Sequence, residues 1–186
     1  MDPLEAILQG LWLMTPAFVA NPAAVLFGGG NPIDGGSILR DGRRLLGDGK
    51  TWRGLAGGTL FGMLVGVLQW LINLGIGHPD VSFGVFPFTI LVIFLLPFGA
   101  LLGDILGSFI KRRGIERGEK APGLDQYDFL IGAFLFVGIF QTSWFLKHYI
   151  YGSAVLGLVA VILLTPALHK IVNVLGYRIG KKEVPW

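Results

Sequence analysis

The sequence predicts an all-α integral membrane protein of about five transmembrane helices, with two long polar loops on the cytoplasmic side. Three observations carry this. The 186-residue chain is 53% hydrophobic with a mean hydropathy of +0.66. No charged residue lies between Glu5 and Asp34, Arg53 and Asp80, Asp80 and Asp104, Asp128 and Lys147, or Lys147 and Lys170. Each gap is close to the roughly 20 apolar residues needed to cross a hydrocarbon core of about 30 Å. All Lys and Arg residues but Lys147 and Lys170 fall in three stretches that follow alternate gaps. The gaps place spans near residues 5–27, 55–77, 84–106, 128–147 and 153–175. The N-terminal MDPLEAILQG carries acid rather than an early basic cluster, which argues against a signal peptide.

The cations set the orientation. Arg40, Arg43, Arg44, Lys50 and Arg53 follow the first span. Lys111, Arg112, Arg113, Arg117 and Lys120 follow the third, and Arg178, Lys181 and Lys182 follow the fifth. By the positive-inside rule these segments are cytoplasmic and the N-terminus is outside. The formal net charge of +3 understates that asymmetry. A basic face also attracts anionic headgroups, which accounts for the cations but not for the acids among them.

Other residues read more plainly. There is no cysteine, so a disulfide frame, a thiolate nucleophile and a thiolate metal site are excluded. His78, His148 and His169 are scattered and read as interface residues, and Trp52 and Trp144, at span boundaries, read as membrane anchors. In GTLFGMLVG small residues recur at helical spacing, which suits close helix contact. No internal repeat or low-complexity linker divides the chain, so residues 1–186 form one domain, with polar loops at 28–54 and 107–127.

The second loop follows GDILGSFIKRRGIERGEKAPGLDQYDF. Asp104, Ser108 and Lys111 share a helix face, and Asp125 and Asp128 lie on adjacent turns at the start of the fourth span. Carboxylates at membrane depth usually face a water-filled cavity or a partner. Three acids without Cys or clustered His suit a hard cation such as Mg²⁺, and Lys111, Arg112, Arg113 and Lys120 suit a polyphosphate. The competing reading is a salt-bridge cluster pairing Asp104 with Lys111 and Asp128 with Lys120.

The first loop, FGGGNPIDGGSILRDGRRLLGDGKTWRG, offers Asn31, Asp34, Arg43, Asp48, Lys50, Thr51 and Arg53. Its GDGKT invites a Walker A reading. That motif fails, because Arg44 stands where its first glycine belongs and a span rather than a strand precedes it. What survives is a glycine-rich segment able to expose backbone N–H groups beside cations.

Together these segments resemble the integral membrane cytidylyltransferases, the CDP-diacylglycerol synthase superfamily, and within it the archaeal branch; the resemblance covers about residues 25–178. It implies a nucleotidyltransferase that joins CTP to an isoprenoid ether-lipid phosphate, digeranylgeranylglyceryl phosphate, releasing pyrophosphate with Mg²⁺ as cofactor. It further implies Asp104, Asp125 and Asp128 as metal ligands that act with Lys111 in catalysis. Ser108 and Arg112 are expected near the phosphates, and Asn31, Asp34, Lys50, Thr51 and Arg53 as first-loop partners of nucleotide or lipid phosphate. The expected partners are CTP, the lipid phosphate and the bilayer, with no nucleic acid.

The chemistry is consistent with that inventory. A phosphate monoester is already an anionic nucleophile, so the reaction asks for charge neutralisation and alignment rather than a Ser-His pair. The Phe residues of the third and fourth spans read as ordinary lipid-facing surface, with a groove for the lipid chains as the alternative. Two rival classes remain. A CDP-alcohol phosphotransferase would begin D-x-x-D-G-x-x-A-R, which IDGGSILRD does not match. A non-enzymatic carrier would line a path with charge, whereas here the acids cluster at one surface.

Overall fold

The computed structural model describes residues 1–114, 121 and 123–181. Helix α1 (Pro3–Phe27) opens on a capping box in which the Asp2 carboxylate accepts from the backbone of the first turn and Glu5 reaches back to the Asp2 N–H. Helices α2 (Trp52–Ile76) and α3 (Phe88–Gly114) follow, with a single 3₁₀ turn, Pro79–Val81, between them. Helix α4 (Leu124–Phe140) runs back beside α3, and after a short α5 (Thr142–Phe145) and one π-helical turn (Leu146–Ile150) comes α6 (Ala154–Arg178).

Helices α1, α2, α3 and α6 are each long and apolar enough to cross a membrane. At 17 residues, α4 rises about 25 Å at 1.5 Å per residue, short of a full hydrocarbon core. The expected continuous span at 128–147 is therefore corrected. The helix begins four residues earlier and breaks at Gln141, where φ −137° and ψ 49° leave the helical region, and the short α5 and π-helical segments follow. The outward faces remain apolar, with Leu60 and Leu163 65% and 70% exposed, as lipid contact demands.

Close helix contact rests on glycine. A methyl added at Gly58 would lie 2.7 Å from the Ala20 carbonyl oxygen, one at Gly62 2.7 Å from that of Pro16, and one at Gly66 2.8 Å from Ile93 Cγ2. The GTLFGMLVG stripe thus seats α2 against both α1 and α3. Gly10 and Gly157 bring α1 onto α6 in the same way. Between α3 and α4, Gly99, Gly103 and Gly132 let the two backbones touch.

Two expectations about individual side chains are corrected. Trp144 is buried rather than interfacial, donating to the Ser82 carbonyl at 3.1 Å and stacking on Phe83. His148 is buried too, its Nδ1 2.8 Å from the Trp144 carbonyl oxygen. Phe94, Phe98, Phe136 and Phe140 pack in a chain, with successive ring centroids 4.8, 5.8 and 5.9 Å apart.

Candidate active site

The glycine-rich loop between α1 and α2 is folded around one carboxylate. Asp34 Oδ1 accepts from the Gly36 N–H and from Arg44, both at 3.0 Å, while Oδ2 accepts from the N–H groups of Leu46 at 3.0 Å and Gly47 at 3.2 Å. Its side chain is fully shielded from solvent. Burial opposes ionisation there, but the Arg44 guanidinium and the three N–H groups outweigh it and hold the carboxyl far below the usual range. Gly47 takes φ +102°, a left-handed geometry that favours glycine, as the chain turns toward Lys50. Bridges between Pro32 and Thr51 and between Ile38 and Arg44 close the loop.

That scaffold aims Lys50. Its carbonyl accepts from the Ile33 N–H at 2.8 Å, one residue before Asp34. Its ammonium reaches across to Asp104 on α3, 2.5 Å from Oδ2. Thr51 is buried and caps α2, its Oγ1 accepting from the Gly54 N–H at 3.1 Å.

Helix α3 continues to Gly114, past the expected loop start at 107, so Lys111, Arg112 and Arg113 occupy its last turn, where cations suit the helix dipole. The loop docks there. Arg43 donates to the Arg113 carbonyl at 2.6 Å, Arg113 donates to the Arg44 carbonyl at 3.2 Å and pairs with Asp41, and Arg112 Nε lies 3.5 Å from the Leu46 carbonyl. These contacts join the first loop to the end of α3. Orphan helix-end carbonyls gain donors by this arrangement.

Lys111 turns to α4, 2.5 Å from Asp125 Oδ1, while Asp125 Oδ2 accepts from the Ala121 N–H at 2.9 Å. The Asp104–Lys111 pairing of the competing reading is therefore replaced by two pairs, Lys50–Asp104 and Lys111–Asp125. The reason is geometric: seven residues place Asp104 and Lys111 on one helix face but about 10 Å apart along the axis. Lys120 and Arg117 lie outside the described residues, as does any pairing of Asp128 with Lys120.

Asp128 is buried against α3. A methyl at Gly107 would overlap its carboxylate and one at Gly103 its carbonyl oxygen. It lies within electrostatic reach of Asp104, Lys50 and Asp125. Ser108 donates to the Asp104 carbonyl at 2.9 Å, the usual back-bond of a helical hydroxyl. Asn31 and Arg53 are exposed at the rim, the Asn31 carbonyl accepting from the Trp52 N–H at 3.3 Å.

The structure thus draws Lys50, Asp104, Lys111, Asp125 and Asp128 to one end of the α3–α4 pair, while Asp34 and Arg112 serve the loop itself. Among the described residues, no three acidic or histidine side chains stand close enough to hold one ion together. Ammonium groups answer Asp104 and Asp125 in this arrangement. The donor chemistry nonetheless fits Mg²⁺: oxygen ligands only, two of them on side chains 27% exposed.

Beside Lys50 a small cavity of about 50 Å³, partly open to solvent, lies between α1, α2, α3 and the first loop. Asn21, Lys50, Thr51 and Asp104 supply its polar lining, and Val25, Leu55, Leu101 and Ile105 much of the rest. Asn21 escaped the reading of the sequence. Its only signal there is an amide inside a mostly apolar span that also holds Gln9 and Thr15.

Comparison with known proteins identifies the family of the chain. Residues 3–186 match the family described as CarS-like, CDP-archaeol synthase. The CDP-archaeol synthase of Thermococcus kodakarensis is 46% identical, with both chains covered in full. That of Methanoregula boonei is 49% identical over 93% of this chain and all of its own. A solved structure, described as an intramembrane enzyme for archaeal membrane lipids biosynthesis, superposes with a TM-score of 0.60 at 41% identity, covering 87% of this chain and 92% of that one. A match of this extent to both the family and its named relatives makes the chain a member of the CDP-archaeol synthase family, multi-pass membrane cytidylyltransferases of archaeal lipid synthesis.

Proposed function

We propose that the protein joins CTP to digeranylgeranylglyceryl phosphate at the cytoplasmic face of the membrane, with Asp104, Asp125, Asp128, Lys50 and Lys111 as its working residues. The observation that carries this reading is the pair of cross-element contacts, Lys50–Asp104 and Lys111–Asp125, at one end of the bundle. Acids and ammonium groups stand there in the numbers that two phosphate-bearing substrates require, and the side chains are a fifth to a quarter exposed.

In the reaction an oxygen of the lipid phosphate attacks the α-phosphorus of CTP. A new P–O–P linkage forms as the bond to the α,β-bridging oxygen breaks, and pyrophosphate leaves with that electron pair. The nucleophile is already anionic, so no protein base is required. Lys50 and Lys111 exchange their carboxylate partners for phosphate oxygens when the substrates bind, lowering the repulsion between two anions. Asp104, Asp125 and Asp128 would hold Mg²⁺, which when bound neutralises triphosphate charge and stabilises the leaving pyrophosphate. Asp34 shapes the loop that carries Lys50, and Thr51 starts the helix behind it. Ser108 and Arg112 support the same end of α3, and Asn31 and Arg53 sit at the rim where nucleotide phosphate can be met.

Detergent-purified protein with Mg²⁺ and the lipid phosphate is expected to use CTP or dCTP far better than ATP or GTP. Chelation should stop turnover and Mg²⁺ should restore it. Equal pyrophosphate release from all four nucleotides would refute cytosine recognition.

The orientation is tested separately, and the absence of cysteine makes this simple. A single Arg40→Cys should resist an impermeant thiol reagent in intact cells, whereas Tyr151→Cys, exposed at the opposite end, should label. Labelling at position 40 with protection at 151 would invert the arrangement.

A further inference from the structure

A proline inside a helix leaves the carbonyl four residues before it without a helical donor. In hydrocarbon no water can answer that carbonyl, so the donor has to come from the protein. Two such carbonyls here are met by a side chain of a neighbouring helix. Pro16 in α1 frees the carbonyl of Trp12, which accepts from the Gln69 amide of α2 at 2.8 Å. Pro166, midway along α6, frees that of Ile162, which accepts from the Tyr127 hydroxyl of α4 at 3.2 Å. The first tie joins two helices of the scaffold. The second starts between two carboxylates of the site, Asp125 and Asp128.

Its place on α4 gives the second tie a consequence. The helix starts at Gly123, which has no side chain to cap it. Asp128 presses on α3 at Gly103 and Gly107. Tyr127, next to it in sequence and so about 100° round the helix, reaches α6 instead. Contacts on two different sides fix the rotation of the first turns of α4 about their own axis, which either contact alone would leave freer to turn. Side-chain ends lie about 5–6 Å from a helix axis, so a rotation of about 10° carries a carboxylate about 1 Å. A misplacement of that size can slow a reaction by on the order of 100-fold.

We propose that Tyr127 is a positioning residue: by donating to the carbonyl that Pro166 leaves free, its hydroxyl sets the rotation of α4 and so the aim of Asp125 and Asp128. This inference rests on the reaction proposed above.

The test uses the full-length protein in detergent, as Tyr127→Phe, as Pro166→Ala and with both changes. Pro166→Ala restores an N–H in α6, so the Ile162 carbonyl regains a helical donor and no longer depends on the hydroxyl. At saturating Mg²⁺, Tyr127→Phe should lower kcat about tenfold and leave the KM for the lipid phosphate unchanged. The Mg²⁺ concentration needed for half-maximal rate should rise, because the carboxylates are aimed less well. A residue that merely supports the fold would reduce the active fraction and leave that Mg²⁺ requirement where it was. Melting temperatures give a readout that needs no turnover. Tyr127→Phe should lower the melting temperature in the parent and much less in the Pro166→Ala background, the non-additivity expected of two residues that share one acceptor. Should the phenylalanine variant alone fail to fold, the double variant should fold, since its carbonyl is answered, and should still be slow. A folded Tyr127→Phe protein with parental kcat and Mg²⁺ requirement, an equal drop in melting temperature in both backgrounds, or a double variant that is fully active or unfolded would overturn the proposal. Absence of CDP-lipid from the parent protein would instead overturn the reaction itself, so the two failures are distinguishable.

Discussion

Asp104→Asn and Lys50→Met should each lower turnover by roughly 100-fold or more, with melting temperatures in detergent that stay close to the parent's. The size follows from losing several kcal/mol of transition-state stabilisation at about 1.4 kcal/mol per decade. The small stability effect follows from exposure. The two side chains are 22% and 27% exposed, and an ion pair that water reaches contributes about 0–1 kcal/mol. A purely structural ion pair would behave the other way, with little loss of activity in whatever protein survived. Lys111→Met and Asp125→Asn, on side chains 25% and 27% exposed, should follow the same pattern. Asp128→Asn keeps its fit against Gly107, so it too should reduce turnover with the fold intact, and it should raise the Mg²⁺ concentration needed for half-maximal rate. Folded Asp104, Asp125 and Asp128 variants with near-parental turnover would sink the assignment.

What the sequence revealed and what it hid divide along the reach of the contacts. Spans, loops and the concentration of cations at one end are properties of single segments, and hydropathy and charge report them directly. Asp104, Ser108 and Lys111 fall on one helix face because periodicity is local. The partner of each charge is not local. Lys50 meets Asp104 across 54 positions, and no pattern within either segment announces that pairing. The contacts of the arginines are non-local in the same way. Arg43 reaches the carbonyls of Arg112 and Arg113 at the end of α3, and Arg113 reaches that of Arg44 in the loop. Trp144 and His148 mislead because the helix breaks near Gln141, which turns a predicted boundary into a packed corner. Asn21 was overlooked because one amide in an apolar run carries no motif; only the cavity beside it gives it meaning.

Asp34 separates a binding role from a building role. Its carboxylate takes four hydrogen bonds, three from backbone N–H groups of its own loop and one from Arg44. Removing it leaves the N–H groups of Leu46 and Gly47 buried without an acceptor, at about 1–3 kcal/mol each, and leaves Arg44 without this partner. Asp34→Ala should therefore destabilise by several kcal/mol, and the loss should be seen first in the loop, as faster amide exchange at residues 36–47. Activity should fall with it, because the Gly47–Lys50 turn that presents the Lys50 ammonium hangs from the same carboxylate. The pH dependence has a defined sign. The folded-state pKa lies below the unfolded value, so the stabilisation is fully present above the unfolded carboxylate range near 4 and is lost only as pH falls toward the depressed value. Between pH 6 and 8 the parent and Asp34→Ala should thus differ in melting temperature by a constant amount, and Asp34→Asn should fall between them, since an amide keeps one acceptor for the N–H groups but repels the Arg44 donor with its own. An Asp34→Ala protein that melts like the parent but has lost affinity for CTP would show that this carboxylate binds substrate rather than shaping the loop.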